Sequence, residues 1–83
     1  MYSIEFSKTA EKQLDKLPNL VQNRIILTLD RIKINPFRAV KRKQGTPYFI
    51  LRIGEYRAIL DIKKDKLVIL ILEVGPRGKI YKN

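Results

Sequence analysis

The run Tyr48-Phe49-Ile50-Leu51-Arg52-Ile53-Gly54-Glu55-Tyr56-Arg57-Ala58-Ile59-Leu60 constrains the fold more than any other part of the chain. Two apolar-rich segments flank Gly54-Glu55, and glycine in first place is what a type II′ hairpin turn requires. Counting outward from that turn pairs Ile53 with Tyr56 and Arg52 with Arg57. Like charges directly opposite on one sheet face cost stability. The simplest physical reason to hold two guanidiniums there is an anion between them, and a phosphate fits their planar forks.

The remaining elements arrange themselves around this hairpin. Tyr2 to Phe6 alternates apolar and polar residues, which predicts a short half-buried strand. Ser7 or Thr9 offers an N-cap for a helix reaching about Leu17, with Ala10, Leu14 and Leu17 inside. Pro18-Asn19 breaks it. A second helix is expected from about Leu20 to Lys33, buried along Val21, Ile25, Thr28, Leu29 and Ile32. Asn35-Pro36-Phe37 ends that helix, and a basic loop runs on through Gly45-Thr46-Pro47. Strands Tyr48 to Ile53, Tyr56 to Lys63 and Lys66 to Glu73 complete a meander, with Lys64-Asp65 as its second turn. Gly75-Pro76-Arg77-Gly78 is expected to stop the last strand and begin an exposed tail.

The expectation is one α+β domain over residues 1–83, in the order β-α-α-β-β-β. Its N-terminal strand and helical hairpin pack on one face of an antiparallel sheet. On the central strand Tyr56, Ala58, Leu60 and Ile62 should meet the helices, leaving Arg57, Ile59 and Asp61 on the open face with Arg52. Continuing the register places Arg57 opposite Leu72 and Arg77 just past the strand's end. Asp61 offers a purely structural alternative, an ion pair with Arg57. Tyr48 and Tyr56 read as strand-packing residues.

Composition narrows the chemistry. The chain has 83 residues, no cysteine and no histidine, so a disulfide framework, a zinc site and a histidine-based triad are excluded. Its net charge of +10 points to a polyanionic partner. No acid lies between Asp30 and Glu55, where Arg31, Lys33, Arg38, Lys41, Arg42, Lys43 and Arg52 fall. A second acid-free stretch after Glu73 carries Arg77, Lys79 and Lys82. Arg38, Lys41, Arg42, Lys43 and Lys82 are therefore expected to touch nucleic-acid phosphates. No run is long enough to span a membrane and no signal peptide is recognised, so the chain reads as cytoplasmic, with no membrane partner.

Leu51-Arg52-Ile53-Gly54-Glu55-Tyr56-Arg57, followed by Glu73-Val74-Gly75-Pro76-Arg77-Gly78-Lys79-Ile80-Tyr81, resembles the RelE/ParE toxin superfamily, as does the element order. The resemblance covers essentially the whole chain. It implies the toxin of a type II toxin–antitoxin system, neutralised by a small, acidic, partly disordered RelB-like antitoxin. RelE-like members cut messenger RNA in the ribosomal A site, whereas ParE-like members poison DNA gyrase. Residue by residue, Arg57 matches the arginine after the turn tyrosine, Arg77 the C-terminal active-site arginine, and Tyr81 the terminal tyrosine. Arg52 matches a basic strand position. The family's ribonucleases often carry another basic residue two places earlier, where this chain has Ile50.

Cutting RNA by attack of a ribose 2′-OH requires a proton acceptor, stabilisation of the phosphorane and departure of the 5′ oxygen. Arginines meet the second need, because preorganised donors stabilise developing charge. They are poor bases, since guanidinium stays protonated. Lys43, Lys79 and Tyr81 are the candidate proton carriers, and the reaction draws on no cofactor or metal. Besides the nuclease and gyrase readings, a non-catalytic basic protein of the ribosome fits the charge equally well.

Overall fold

The computed structural model describes residues 1–80, with side chains through Gly78. Tyr81, Lys82 and the Lys79 side chain lie outside the described residues. Strand β1 (Ser3–Phe6) leads into α1 (Lys8–Asp15) and α2 (Asn19–Ile32), then a 3-10 turn (Pro36–Arg38). Strands β2 (Val40–Arg42), β3 (Phe49–Ile53), β4 (Tyr56–Lys63) and β5 (Val68–Pro76) follow, and α3 (Arg77–Ile80) comes last. The five strands form one sheet in the order β1-β5-β4-β3-β2. β1 runs parallel to β5, and the other neighbours are antiparallel.

Ser7 caps α1, its Oγ accepting from the Ala10 amide at 3.0 Å. The same hydroxyl donates to the Leu72 carbonyl at 2.9 Å. Gln13 Oε1 accepts from the Val74 amide at 2.7 Å. β1 has stopped pairing with β5 at Ile71, so α1 satisfies backbone groups on the stretch of β5 that β1 no longer covers. α2 presents Ile25, Leu29 and Ile32 at helical spacing, and these close over Leu51, Ile53, Ala58, Leu60, Ile69, Ile71 and Val74. Ala10 joins the same core. Both helices cover one sheet face, and the α+β class stands.

Four details depart from the sequence reading. The expected basic loop contains β2, whose three residues pair with β3 through Val40–Leu51, Lys41–Ile50 and Arg42–Phe49. The sheet is mixed, because the N-terminal strand joins it as an edge rather than packing on it. β5 continues through Gly75 and Pro76, pairing Gly75 with Arg57 and Pro76 with Tyr56. Arg57 therefore does not face Leu72.

Two causes account for that register. The β4–β5 connection is longer than a Lys64-Asp65 turn, pairing Lys63 with Val68, with Leu67 at a φ of 53°. A bulge then leaves Leu72 as the extra residue, since Ile59 pairs with Glu73 but Leu60 with Ile71. The bulge switches the alternation of β5, so that Ile69, Ile71 and Val74 all reach the core. It also sets a glycine, rather than Val74, across from Arg57.

Candidate functional site: a cationic concavity on the open sheet face

The hairpin that carries the site has the expected register, Ile53 opposite Tyr56 and Arg52 opposite Arg57. Gly54 takes a φ of 60° and Glu55 stays at negative φ, as a type II′ turn demands. Strand alternation lays out the open face in two rows across the sheet. One holds Lys41, Ile50, Ile59 and Glu73; the next holds Arg52, Arg57 and Gly75. Ile59 is buried but belongs to this face, outside the main core cluster.

A concavity of about 210 Å3 opens here, lined by Ala39, Lys41, Arg42, Ile50, Arg52 and Arg57. Four of those six residues are cations and none is an acid. Such a hollow concentrates positive potential where an anion would sit. Arg52 is exposed, while Arg57 is half-buried with its Nε enclosed. Asp61 forms its ion pair with Lys63, at 3.1 Å. The Ile50 position lies directly opposite Lys41, so a cation reaches that row from the neighbouring strand.

The other sequence candidates spread around this centre. Arg42 contributes to the rim and lays its guanidinium over the Phe49 ring, 5.6 Å from the centroid. Phe49 in turn meets Phe37 edge-on at 5.5 Å. Lys43 opens a tight loop: its amide donates to the Tyr48 carbonyl, and its own carbonyl accepts from Thr46. Arg38 is exposed on the 3-10 turn, and neither it nor Lys43 lines the concavity. The Arg77 amide donates to the Glu55 carbonyl at 3.1 Å, which ties the end of β5 to the hairpin turn.

Sequence reading assigned no site role to Arg24, nor to Arg31 beyond its place in the acid-free stretch. Both stand on α2 over a second hollow of about 330 Å3, which Arg52 and Gly54 also line. Their spacing, i and i+7 with Thr28 between, was the available signal, since it puts all three on one helix face. What sequence lacked was the knowledge that this face borders the hairpin turn.

A small basic α+β fold that lines a hollow with arginines and a lysine suits a protein acting on a polyanion, and comparison with known proteins gives its class. Residues 4–81 match the family described as ParE toxin of type II toxin–antitoxin system, parDE. The chain belongs to that family, within the RelE/ParE superfamily. It is 29% identical over 84 residues to Toxin RelG of Mycobacterium tuberculosis, covering 98% of this chain and 97% of RelG. The toxin–antitoxin complex RelBE2 of Mycobacterium tuberculosis superposes with a TM-score of 0.82 at 28% identity, over 92% of this chain and 98% of that one. The RelE–RelB complex of the archaeon Pyrococcus horikoshii gives 0.80 at 28% identity, over 94% and 97%.

Proposed function

We propose that this toxin is a RelE-like mRNA interferase, a ribosome-dependent endoribonuclease that cuts messenger RNA in the A site. A small acidic, partly disordered antitoxin of the RelB type holds it inactive. The observation that carries this reading is the facing Arg52–Arg57 pair in a hollow with no carboxylate among its lining residues. The solved RelE–RelB relatives support the antitoxin.

In this reading a phosphodiester sits over Arg52 and Arg57. The ribose 2′ oxygen attacks phosphorus, a 2′,3′-cyclic phosphate forms, and the 5′ oxygen leaves with a proton. Arg52, Arg57 and Arg77 stabilise the charge that builds on the phosphorane. Lys79 and Tyr81 on the C-terminal segment are the candidates for taking the 2′-OH proton and supplying one to the 5′ oxygen, since Lys43 stands outside the hollow. Lys41 supplies positive charge beside Ile50. So few acid–base groups suit an enzyme whose substrate is already oriented by the ribosome.

The test is purified toxin on ribosomes programmed with a defined message, read by primer extension. Discrete cuts in the A-site codon, absent from the same message without ribosomes, are the expected result. A second reading, a gyrase poison, is favoured by the ParE description of the matching family. Pulse labelling in cells separates the two. The nuclease stops protein synthesis while supercoiling is unchanged; gyrase-linked DNA breaks with continuing translation would overturn the proposal.

A further inference from the structure

Arg52 is the wall shared by two hollows. On one side lies the sheet-face concavity with Arg57 and Lys41; on the other lies the groove between α2 and the β3–β4 turn. Arg24, Leu27, Thr28 and Arg31 line the helical side of that groove, and Ile53 and Gly54 line the strand side. Arg24 and Arg31 are seven residues apart, about 10 Å along the helix axis, enough to serve separate phosphates. All three arginines are exposed.

The Arg24 guanidinium lies against the hairpin turn: an ideal Cβ on Gly54 would stand 3.0 Å from its Cζ and Nη1, a contact that the free end of this exposed side chain relieves by moving. The ion pairs among the described residues are Asp30 with Lys33 and Asp61 with Lys63. None of Arg24, Arg31 and Arg52 has a carboxylate counter-ion among those residues. Three cations around one groove, with no counter-ion among the described residues, call for an anion with several charges.

We propose that this groove is a second phosphodiester site, which takes the RNA strand as it passes around Arg52 from the sheet-face hollow. The proposal rests on the reading of the chain as a toxin that acts on RNA. RNA is favoured over an acidic peptide because the groove shares Arg52 with the hollow that would hold the cut phosphate. One strand can occupy both without leaving protein. The role is binding, not chemistry: Arg24 and Arg31 hold flanking phosphates equally in the ground and transition states.

The test uses the full chain, Arg24→Ala, Arg31→Ala, their double variant, and Arg24→Lys as a charge-retaining control. Alanine is a good helix former and both sites are exposed, so folding is checked by melting temperature and should hold. A short single-stranded 2′-O-methyl RNA, which cannot be cut, reports affinity by fluorescence anisotropy across a salt series. The double variant should bind about tenfold more weakly near ~0.1 M salt, with a log–log salt slope shallower by about 1.4, or ~0.7 for each phosphate no longer neutralised. On programmed ribosomes it should raise KM and leave kcat unchanged. Arg24→Lys should recover most of the affinity.

Wild-type affinity and salt slope in the double variant would overturn the groove while leaving the nuclease reading intact. So would substitutions that spare RNA but release an acidic antitoxin, since the groove would then belong to that partner. Weakened RNA binding in a protein that leaves programmed ribosomes uncut would overturn the nuclease reading and keep the groove. A wild-type chain that binds no free RNA would overturn the groove, while the nuclease reading would stand or fall on cleavage of programmed ribosomes.

Discussion

Arg52 projects from β3 into solvent, whereas Arg57 across the strand pair is half-buried with its Nε enclosed. Removing Arg57 therefore disturbs packing along with charge, and Arg52 is the cleaner probe. Arg52 has no carboxylate partner among the described residues and faces a like charge. Arg52→Ala should leave stability unchanged or raise it by up to about 1 kcal/mol, the scale of a cross-strand pair. A-site cleavage should fall about 100- to 1,000-fold if Arg52 stabilises the phosphorane, the loss seen when one preorganised donor is removed. Thermal melts and cleavage assays on the same preparation check both halves. A lower melting temperature would mean the side chain contributes to packing, and full activity would remove it from the site.

At the scale of elements, α1 is fastened to β5 by side chains rather than by strand pairing. Ser7 caps the helix and donates to Leu72, and Gln13 accepts from Val74. Gln13→Leu leaves the Val74 amide, on a buried residue, without its acceptor, a cost of about 1–3 kcal/mol. The expected outcome is a lower melting temperature with cleavage retained below the transition, because α1 lies on the face opposite the arginines. Unchanged stability would mean that another group replaces Gln13.

The same element scale shows what was legible in sequence. The hairpin was readable because one glycine at positive φ fixes both turn type and pairing. α2 was readable because Ile25, Leu29 and Ile32 keep a helical period. β2 was not, since three residues with two adjacent cations carry no period; pairing with β3 makes them a strand. The bulge at Leu72 left a trace in the 2-then-3 spacing of Ile69, Ile71 and Val74, but a turn-based register overrode it. The parallel place of β1 depends on contacts far apart in the chain, which no local pattern encodes. At the site, the arginine pair was legible, whereas Arg24 and Arg31 needed the packing of α2 beside Gly54.

The whole molecule combines a net charge of +10 with apolar residues left exposed on α2, among them Leu20 at 83% and Leu27 at 63%. These two surfaces respond differently to salt. Charge on an open face is screened beyond about 8–10 Å near physiological ionic strength, while apolar burial is not weakened by simple salt. A disordered acidic antitoxin that folds as it wraps would use both kinds of surface. Its complex with this chain should weaken between ~0.1 M and ~0.5 M salt without dissociating outright, because screening removes the electrostatic share alone. Titration calorimetry at the two salts, with an acidic RelB-type antitoxin that binds this chain, measures that share. It should also show a negative heat-capacity change from the apolar burial. An affinity indifferent to salt would place the antitoxin on the apolar helix surface alone. The sheet face would then stay open in the complex, and inhibition would have to come from blocking entry to the ribosome instead of from covering the arginines.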